Sequence, residues 1–416
     1  MDTKNLGVKQ NNESKKEVSE QNIYKKLNDL NKAKKKEDEK KLVGKRQNSV
    51  IIIFLILLAV GFFNFYSTIS HYSSTSINRK ILKFSIILLV SMFFGSIAYY
   101  IYPLLKKRSF RAFLFFGGIF TFLVVAFFPN SNIFPTINGG KGWIRLGGFS
   151  LQVTEIFKII YIILYAGILS RGKDDNENFG IGKNLFTMIL YAGIFFSLLL
   201  CLNDLGTGIH YLAITLFLIF VSDIKAIYIW ISSTLILISG SFLLYFYYFF
   251  KTGYRHHRVK IYLEGLLHNN YDRLDAFQIY QSLIGIGTGG LFGKGYGNGI
   301  QKYNYIPEVE TDFAIATFAE ELGFVGMLLL LSTFLILFIL IMNIAEKSTS
   351  YFGKYLVAGI GGYFISQVII NIGVAIGLLP VFGIPLPFIS SGGSSLLTLS
   401  IAMALVLRVN KETLKD

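Results

Sequence analysis

Ten continuous apolar runs, each long enough to cross a hydrocarbon layer, leave this chain few ways to fold. A crossing helix needs about 20 apolar residues. The runs lie near 50–70, 81–102, 111–129, 151–170, 184–202, 206–222, 226–250, 313–342, 353–377 and 393–408. They are rich in Leu, Ile and Phe and lack the alternation of a barrel strand. With no water in the layer to satisfy backbone groups, helices are what remains. Composition agrees, since 53% hydrophobic and 16% aromatic residues and a mean hydropathy of +0.53 lie well outside soluble usage. The expected fold class is an all-α integral membrane protein, a bundle of about ten transmembrane helices with a large extracytoplasmic loop, 251–312, between helices 7 and 8.

Lys and Arg near span ends mark the cytoplasmic side. Lys40, Lys41, Lys45 and Arg46, the turn Lys106-Lys107-Arg108 with Arg111, Arg171 and Lys173, Lys225, Lys347 with Lys354, and Arg408 with Lys411 all fall on one face. Both termini are therefore expected inside, with Arg79-Lys80 as the exception on the outer side. Residues 1–48 mix Lys with Glu, Asp, Asn and Gln and read as a basic, mostly disordered cytoplasmic tail. The membrane domain runs 49–410, and 411–416 form a cytoplasmic C-terminus. Much of the net charge of +15 sits in the tail and inner loops. Such a polybasic segment beside a span sets orientation and meets anionic lipid, so no nucleic-acid partner is expected. The first apolar run is too long for a cleavable signal core and acts as its own insertion signal.

Cys201 is the only cysteine, which excludes an internal disulfide or thiolate cluster. The histidines His71, His210, His256, His257 and His268 show no HExxH arrangement. Gly285 to Gly290 matches GxGxxG without the strand and βαβ unit that would give it meaning, and Gly293-Lys294-Gly295 lacks the P-loop Ser or Thr.

What is left is a set of polar residues in or against the membrane, where charge is costly and marks chemistry or pairing. Glu155 and Lys158 stand three apart on one helix face, as an ion pair or a functional couple. Gly139 to Gly148 carries Lys141, Trp143 and Arg145 on a flexible backbone, suited to a lipid headgroup or a re-entrant turn. Asp204 precedes an apolar run as a helix N-cap. Tyr254 to Lys260 includes Arg255 and Arg258, a cationic group fit for phosphate or lipid headgroups. Gln281 and Ser282 precede a glycine-dense run that could wrap a ligand. Pro380, Pro385 and Pro387 forbid a helix before Ser390, Ser391, Ser394 and Ser395, so that this backbone must line a cavity or be buried. The densest charge is Glu308, Glu310, Asp312, Glu320 and Glu321, where the loop enters a helix. Thr311 or Asp312 also occupies an N-cap position there, and capping and catalysis stay open at this point.

Trp143 to Lys158, Asp204-Leu205-Gly206-Thr207, Gln281 to Gly326 and Pro380 to Ser395 together resemble the SEDS family of bacterial cell-wall polymerases, the FtsW and RodA type. The match spans all ten runs and leaves out 1–48, and Gln301 to Glu308 is nearer the FtsW division branch than the RodA elongation branch. The resemblance implies a peptidoglycan glycosyltransferase of the bacterial cytoplasmic membrane. Its substrate is lipid II, a disaccharide-pentapeptide on undecaprenyl diphosphate, polymerised on the outer face with inversion at the anomeric carbon. Asp312 takes the role of general base. Arg255, Arg258, Lys141 and Arg145 are the expected diphosphate contacts, and Trp143, Gln281, Ser282, Glu308, Ser394 and Ser395 further substrate contacts. Glu155, Lys158, Asp204, Glu320 and Glu321 are supporting residues, with Glu320 and Glu321 expected to pair with Lys158 or Arg145. No cofactor is prescribed, and a divalent cation is left open. A class B penicillin-binding protein is the implied transpeptidase partner, beside other division or elongation membrane proteins. The chain departs from the family pattern at Val153-Thr154, Asn203, Val309-Glu310 and Ser391. Two other classes fit the same charges: a lipid II flippase or transporter, for which no internal repeat is evident, and a noncatalytic scaffold.

Overall fold

The computed structural model describes residues 3–129, 131–137, 139–171, 181–222, 277–303, 305–306 and 308–414, with isolated helical positions between 227 and 265. Arg255, Arg258 and most of the span expected over 226–250 lie outside the described residues.

The chain is a multi-pass helical membrane protein. Its described helices are α1 (Thr3–Ile69), α2 (Ser74–Leu105), α3 (Arg108–Phe127), α4 (Val153–Leu169), α5 (Ile181–Cys201), α6 (Leu205–Val221), α7 (Phe277–Thr288), α8 (Ala314–Glu346), α9 (Tyr351–Ala375) and α10 (Gly393–Glu412). Among them 6 are long and apolar enough to cross a membrane, with shorter apolar helices over Leu185–Cys201 and Leu205–Val221. Nine of the ten expected spans coincide with described helices.

Burial sorts the helices. In the apolar window of α9 78% of residues are buried, against 17% in α3, so α9 is the central post and α3 a lipid-facing wall. α4 is buried nearly end to end, Lys158 included. α9 packs on α4, α6 and α8, while α2 lies along α10. Small residues permit these approaches, as at Gly359, where an added Cβ would stand 2.6 Å from Ile162.

Two features add to the sequence reading. α1 is described from Thr3, within the segment expected as a tail. Its stretch before the span is made of Lys, Glu and Ala, strong helix formers, and Glu37 and Lys41 pair one turn apart at 2.8 Å. The other is a β-hairpin within the helical frame, with β1 (Trp143–Leu146) antiparallel to β2 (Phe149–Gln152) and Trp143 opposite Gln152. Gly147, at φ 59°, makes its turn.

The helix directions gather the basic turns at one end of the bundle. Asn410 Nδ2 donates to Val43 O at 3.1 Å, so the start of the α1 span and the end of α10 share that end with the α2–α3 and α8–α9 connections. The opposite end carries the hairpin, the loop before α8 and the loop before α10.

Candidate functional site

At the hairpin end, the starts of α4, α6, α8 and α10 converge on a cavity of about 260 Å3. Its lining includes Trp143, Gln152, Glu155, Asp204, Glu308, Thr311, Asp312, Gly383, Ser394 and Ser395. Segments far apart in sequence thus meet in one cavity.

The loop before α8 shows how alternation places a carboxylate. Ile306, Val309 and Phe313 are buried against Ile279, Ile370, Val374 and Ile384. The residues between them, Glu308, Thr311 and Asp312, are left on the cavity side. Glu308 turns the chain at φ 57°, and Thr311 Oγ1 donates to its Oε2 at 2.9 Å. The N-cap of α8 is Phe313, which offers no side-chain cap. Asp312 therefore stands just before the cap position, half-buried, with Oδ2 3.6 Å from where a Cβ on Gly383 would lie.

Three successive backbone carbonyls hold this loop. Glu310 O accepts from Ser391 N at 2.9 Å and from its hydroxyl at 2.8 Å. Thr311 O accepts from Ser390 Oγ at 2.5 Å, and Asp312 O from Asn371 Nδ2 at 2.7 Å. Asn371 also donates to Ile384 O at 2.8 Å, tying the two cavity loops to α9. The sequence reading missed Asn371 and the positioning role of Ser390; the signal available was an Asn and a Gln, at 371 and 367, inside an otherwise apolar span. Lys80, the charge on the unexpected side, pairs with Glu310 and sits 3.8 Å above the Tyr72 ring.

Asp204 binds the other wall together. It caps α6 by accepting from Thr207 N at 3.2 Å, and its second oxygen accepts from Gln152 Nε2 at 3.1 Å and Thr154 Oγ1 at 2.7 Å. Before it, Asn203 adopts φ 56°, a left-handed turn that Asn tolerates and Pro cannot form. Gly206 lets the loop before α10 come close, since a Cβ there would stand 2.2 Å from Phe382 O. Ser394 Oγ accepts from Gln152 N at 2.7 Å, and Ser395 Oγ from Gln367 Nε2 at 2.9 Å.

Glu155 and Lys158 form a fully buried ion pair at 2.5 Å. Only Glu155 reaches the cavity, and its second oxygen has no hydrogen-bond partner among the described residues.

The other expected residues lie elsewhere. Glu320 and Glu321 pair not with Lys158 or Arg145 but with Lys294 and Lys302 of the loop after α7, at 2.6 and 2.8 Å. Backbone N–H groups of Gly297, Gly299 and Gln301 and the Ser67 hydroxyl complete their shells. Ser282 donates to Ala375 O at 2.8 Å and, like Gln281, does not line the cavity. Lys141 and Arg145 flank the wall without lining it. Among the described residues no lysine or arginine lines the cavity, and no three His, Cys, Asp or Glu side chains form a metal site. The starts of α8 and α10, which carry no acidic residue in their first turn, border it instead, and a helix N-terminus favours anions.

Comparisons with known proteins bear on the family and the fold. The profile of the FtsW/RodA/SpoVE family, described as cell cycle protein, matches residues 47–415. A probable peptidoglycan glycosyltransferase FtsW of Coxiella burnetii is 38% identical over 315 residues, 75% of this chain and 81% of that protein. Stage V sporulation protein E of Bacillus subtilis is 33% identical over 370 residues, 87% of this chain and 96% of that protein. Among solved structures, a chain of a peptidoglycan synthase complex that coordinates polymerization and crosslinking superposes with TM-score 0.69 at 23% identity, over 88% of this chain and 98% of that one. The Thermus thermophilus rod shape determining protein RodA gives TM-score 0.60 at 22% identity, over 88% and 97%.

Proposed function

The chain belongs to the FtsW/RodA/SpoVE family of cell cycle proteins, and on that premise we propose that it is a peptidoglycan glycosyltransferase that polymerises lipid II, with the cavity as its active site. Its role is in septal wall synthesis during division, in keeping with the FtsW names of its relatives. The observation that most supports this reading is one cavity that joins a held carboxylate, Asp312, to the starts of four helices.

The acceptor GlcNAc 4-hydroxyl loses its proton to Asp312 as its oxygen attacks the anomeric carbon of the donor MurNAc. The C–O bond to undecaprenyl diphosphate breaks, and direct attack converts an α link into a β-1,4 link. The leaving diphosphate already bears charge and needs no protein acid. It is stabilised by the N-termini of α8 and α10, whose N–H groups and dipoles favour anions. Arg255 and Arg258, outside the described residues, and Lys141 and Arg145, beside the wall, supply charge from the rim. Trp143, Ser394 and Ser395 contact the sugar, and Glu308 fixes the loop through Thr311. Gln281 and Ser282 stand outside this arrangement.

The membrane is the bacterial cytoplasmic membrane, with the cavity at its outer face and both termini inside. Basic turns gathered at the end opposite the cavity support this orientation. The partner is a class B penicillin-binding protein, which crosslinks the strands made here. Purified protein supplied with labelled lipid II, alone and with such a partner, tests the reading. Glycan polymer in either arm is expected; lipid II crossing the bilayer without polymer in both arms would replace this reading with transport.

A further inference from the structure

At the end of the bundle opposite the cavity, a second concavity of about 330 Å3 opens between α1, α2 and α10. Its wall is amphipathic along its length. Val50 and Phe54 of α1, Met92 of α2, and Met403 and Leu407 of α10 make the apolar part, and Tyr99 stands at one end. Met92 and Tyr100 are exposed at its mouth, so it faces the lipid.

The cations lie one helical turn beyond this wall. Arg46 is four residues before Val50 on the α1 face that carries Val43, which accepts a hydrogen bond from Asn410 of α10. Its Nε and Nη1 are buried and have no hydrogen-bond partner among the described residues. Arg408 follows Ala404 by one turn, with its guanidinium 5.7 Å from the Tyr99 ring centroid and 5.5 Å from that of Tyr102. Lys411 Nζ lies 6.0 Å from the Tyr99 ring. The carboxylate of the last α10 turn, Glu412, is already held by Lys106 at 2.8 Å and Tyr102 at 3.0 Å, leaving Arg46, Arg408 and Lys411 as surplus positive charge. A guanidinium with buried, unpaired N–H groups at a membrane edge calls for an anion. An apolar groove that ends in such a cluster matches one class of molecule, a chain with an anionic head.

We propose that this groove is a binding site for an anionic phospholipid. One acyl chain lies between α1, α2 and α10, and the phosphate is received by Arg46 and Arg408, with Lys411 adding charge. The site is separate from the cavity, occupies the other leaflet, and stands or falls independently of the polymerase reading. A filled groove would knit the first and last spans to α2.

The test is thermal unfolding of the full-length protein in detergent, titrated with dioleoyl phosphatidylglycerol, dioleoyl phosphatidylcholine or glycerol 3-phosphate. A saturable rise in melting temperature with phosphatidylglycerol alone is expected. Arg46→Gln and Arg408→Gln should each weaken that response roughly fivefold. Ser96→Phe, which fills the groove from an exposed position on α2, should weaken it with the cations intact. Equal stabilisation by phosphatidylcholine would overturn the anionic site, and equal stabilisation by glycerol 3-phosphate would reduce it to a free-anion site. An undiminished response in Ser96→Phe would contradict the groove even if the arginine variants fail to fold.

Discussion

Asp312 and Glu321 lie nine residues apart where the same loop becomes the same helix, yet their surroundings differ in kind. Glu321 is 2% exposed, and its oxygens take Lys302, Ser67 and the N–H groups of Gly297 and Gly299. Asp312 is held through its carbonyl by Asn371, and its carboxylate borders the cavity. A carboxylate whose lone pairs are all engaged fastens structure. One that borders a cavity is within reach of a bound molecule. Beside the clamp, Gly323, at φ 66°, breaks α8 where the loop after α7 presses against it. A Cβ at 323 would stand 2.3 Å from Gly293 N, so the fit of loop to kink depends on that glycine.

The contrast predicts a graded series in stability. Glu321→Gln leaves Lys302 buried without its counter-charge, and the cost is about 3–5 kcal/mol. It should appear as a large fall in melting temperature in detergent, and replacing both partners by apolar residues should recover much of it. Full stability in Glu321→Gln would remove the clamp. Asn371→Leu takes a donor from two buried carbonyls, at about 1–3 kcal/mol for each group left unsatisfied. Polymerisation should fall as well, on the order of 10²-fold if Asp312 shifts by about 1 Å. A stability loss with unchanged polymerisation would show that the Asn371 tether does not position the base. Lys80→Met breaks a partly exposed pair with Glu310, expected to contribute under about 1 kcal/mol. Its effect on melting should be near the limit of detection, and its effect on rate no more than a few-fold.

Much of this was legible in the sequence, for physical reasons. Membrane spans announce themselves because the bilayer forces long apolar runs, and nine of the ten expected ones coincide with described helices. Asp204 was recognisable as a cap from a polar residue before an apolar run, and Glu155 with Lys158 as a pair from helical spacing. Partners across long separations were not legible. The cation for Glu321 sits 19 residues upstream in a glycine-rich loop, and Lys80 reaches Glu310 across 230 residues. The hairpin was hidden because four-residue strands beside a membrane lack a period long enough to read. The diphosphate was expected to meet cations, whereas the described lining offers helix N-termini, which depend on where helices begin rather than on residue type.

Asp312→Asn should be the mildest of these changes for folding and the most severe for chemistry. The decisive measurement is lipid II polymerisation by that variant, at a matched amount of folded protein judged by its melting temperature. An unchanged melting temperature and a rate lower by about 10²–10⁴-fold, the usual contribution of a general base, are expected. Polymerisation at the parent rate by the folded variant would contradict the role of Asp312 as base.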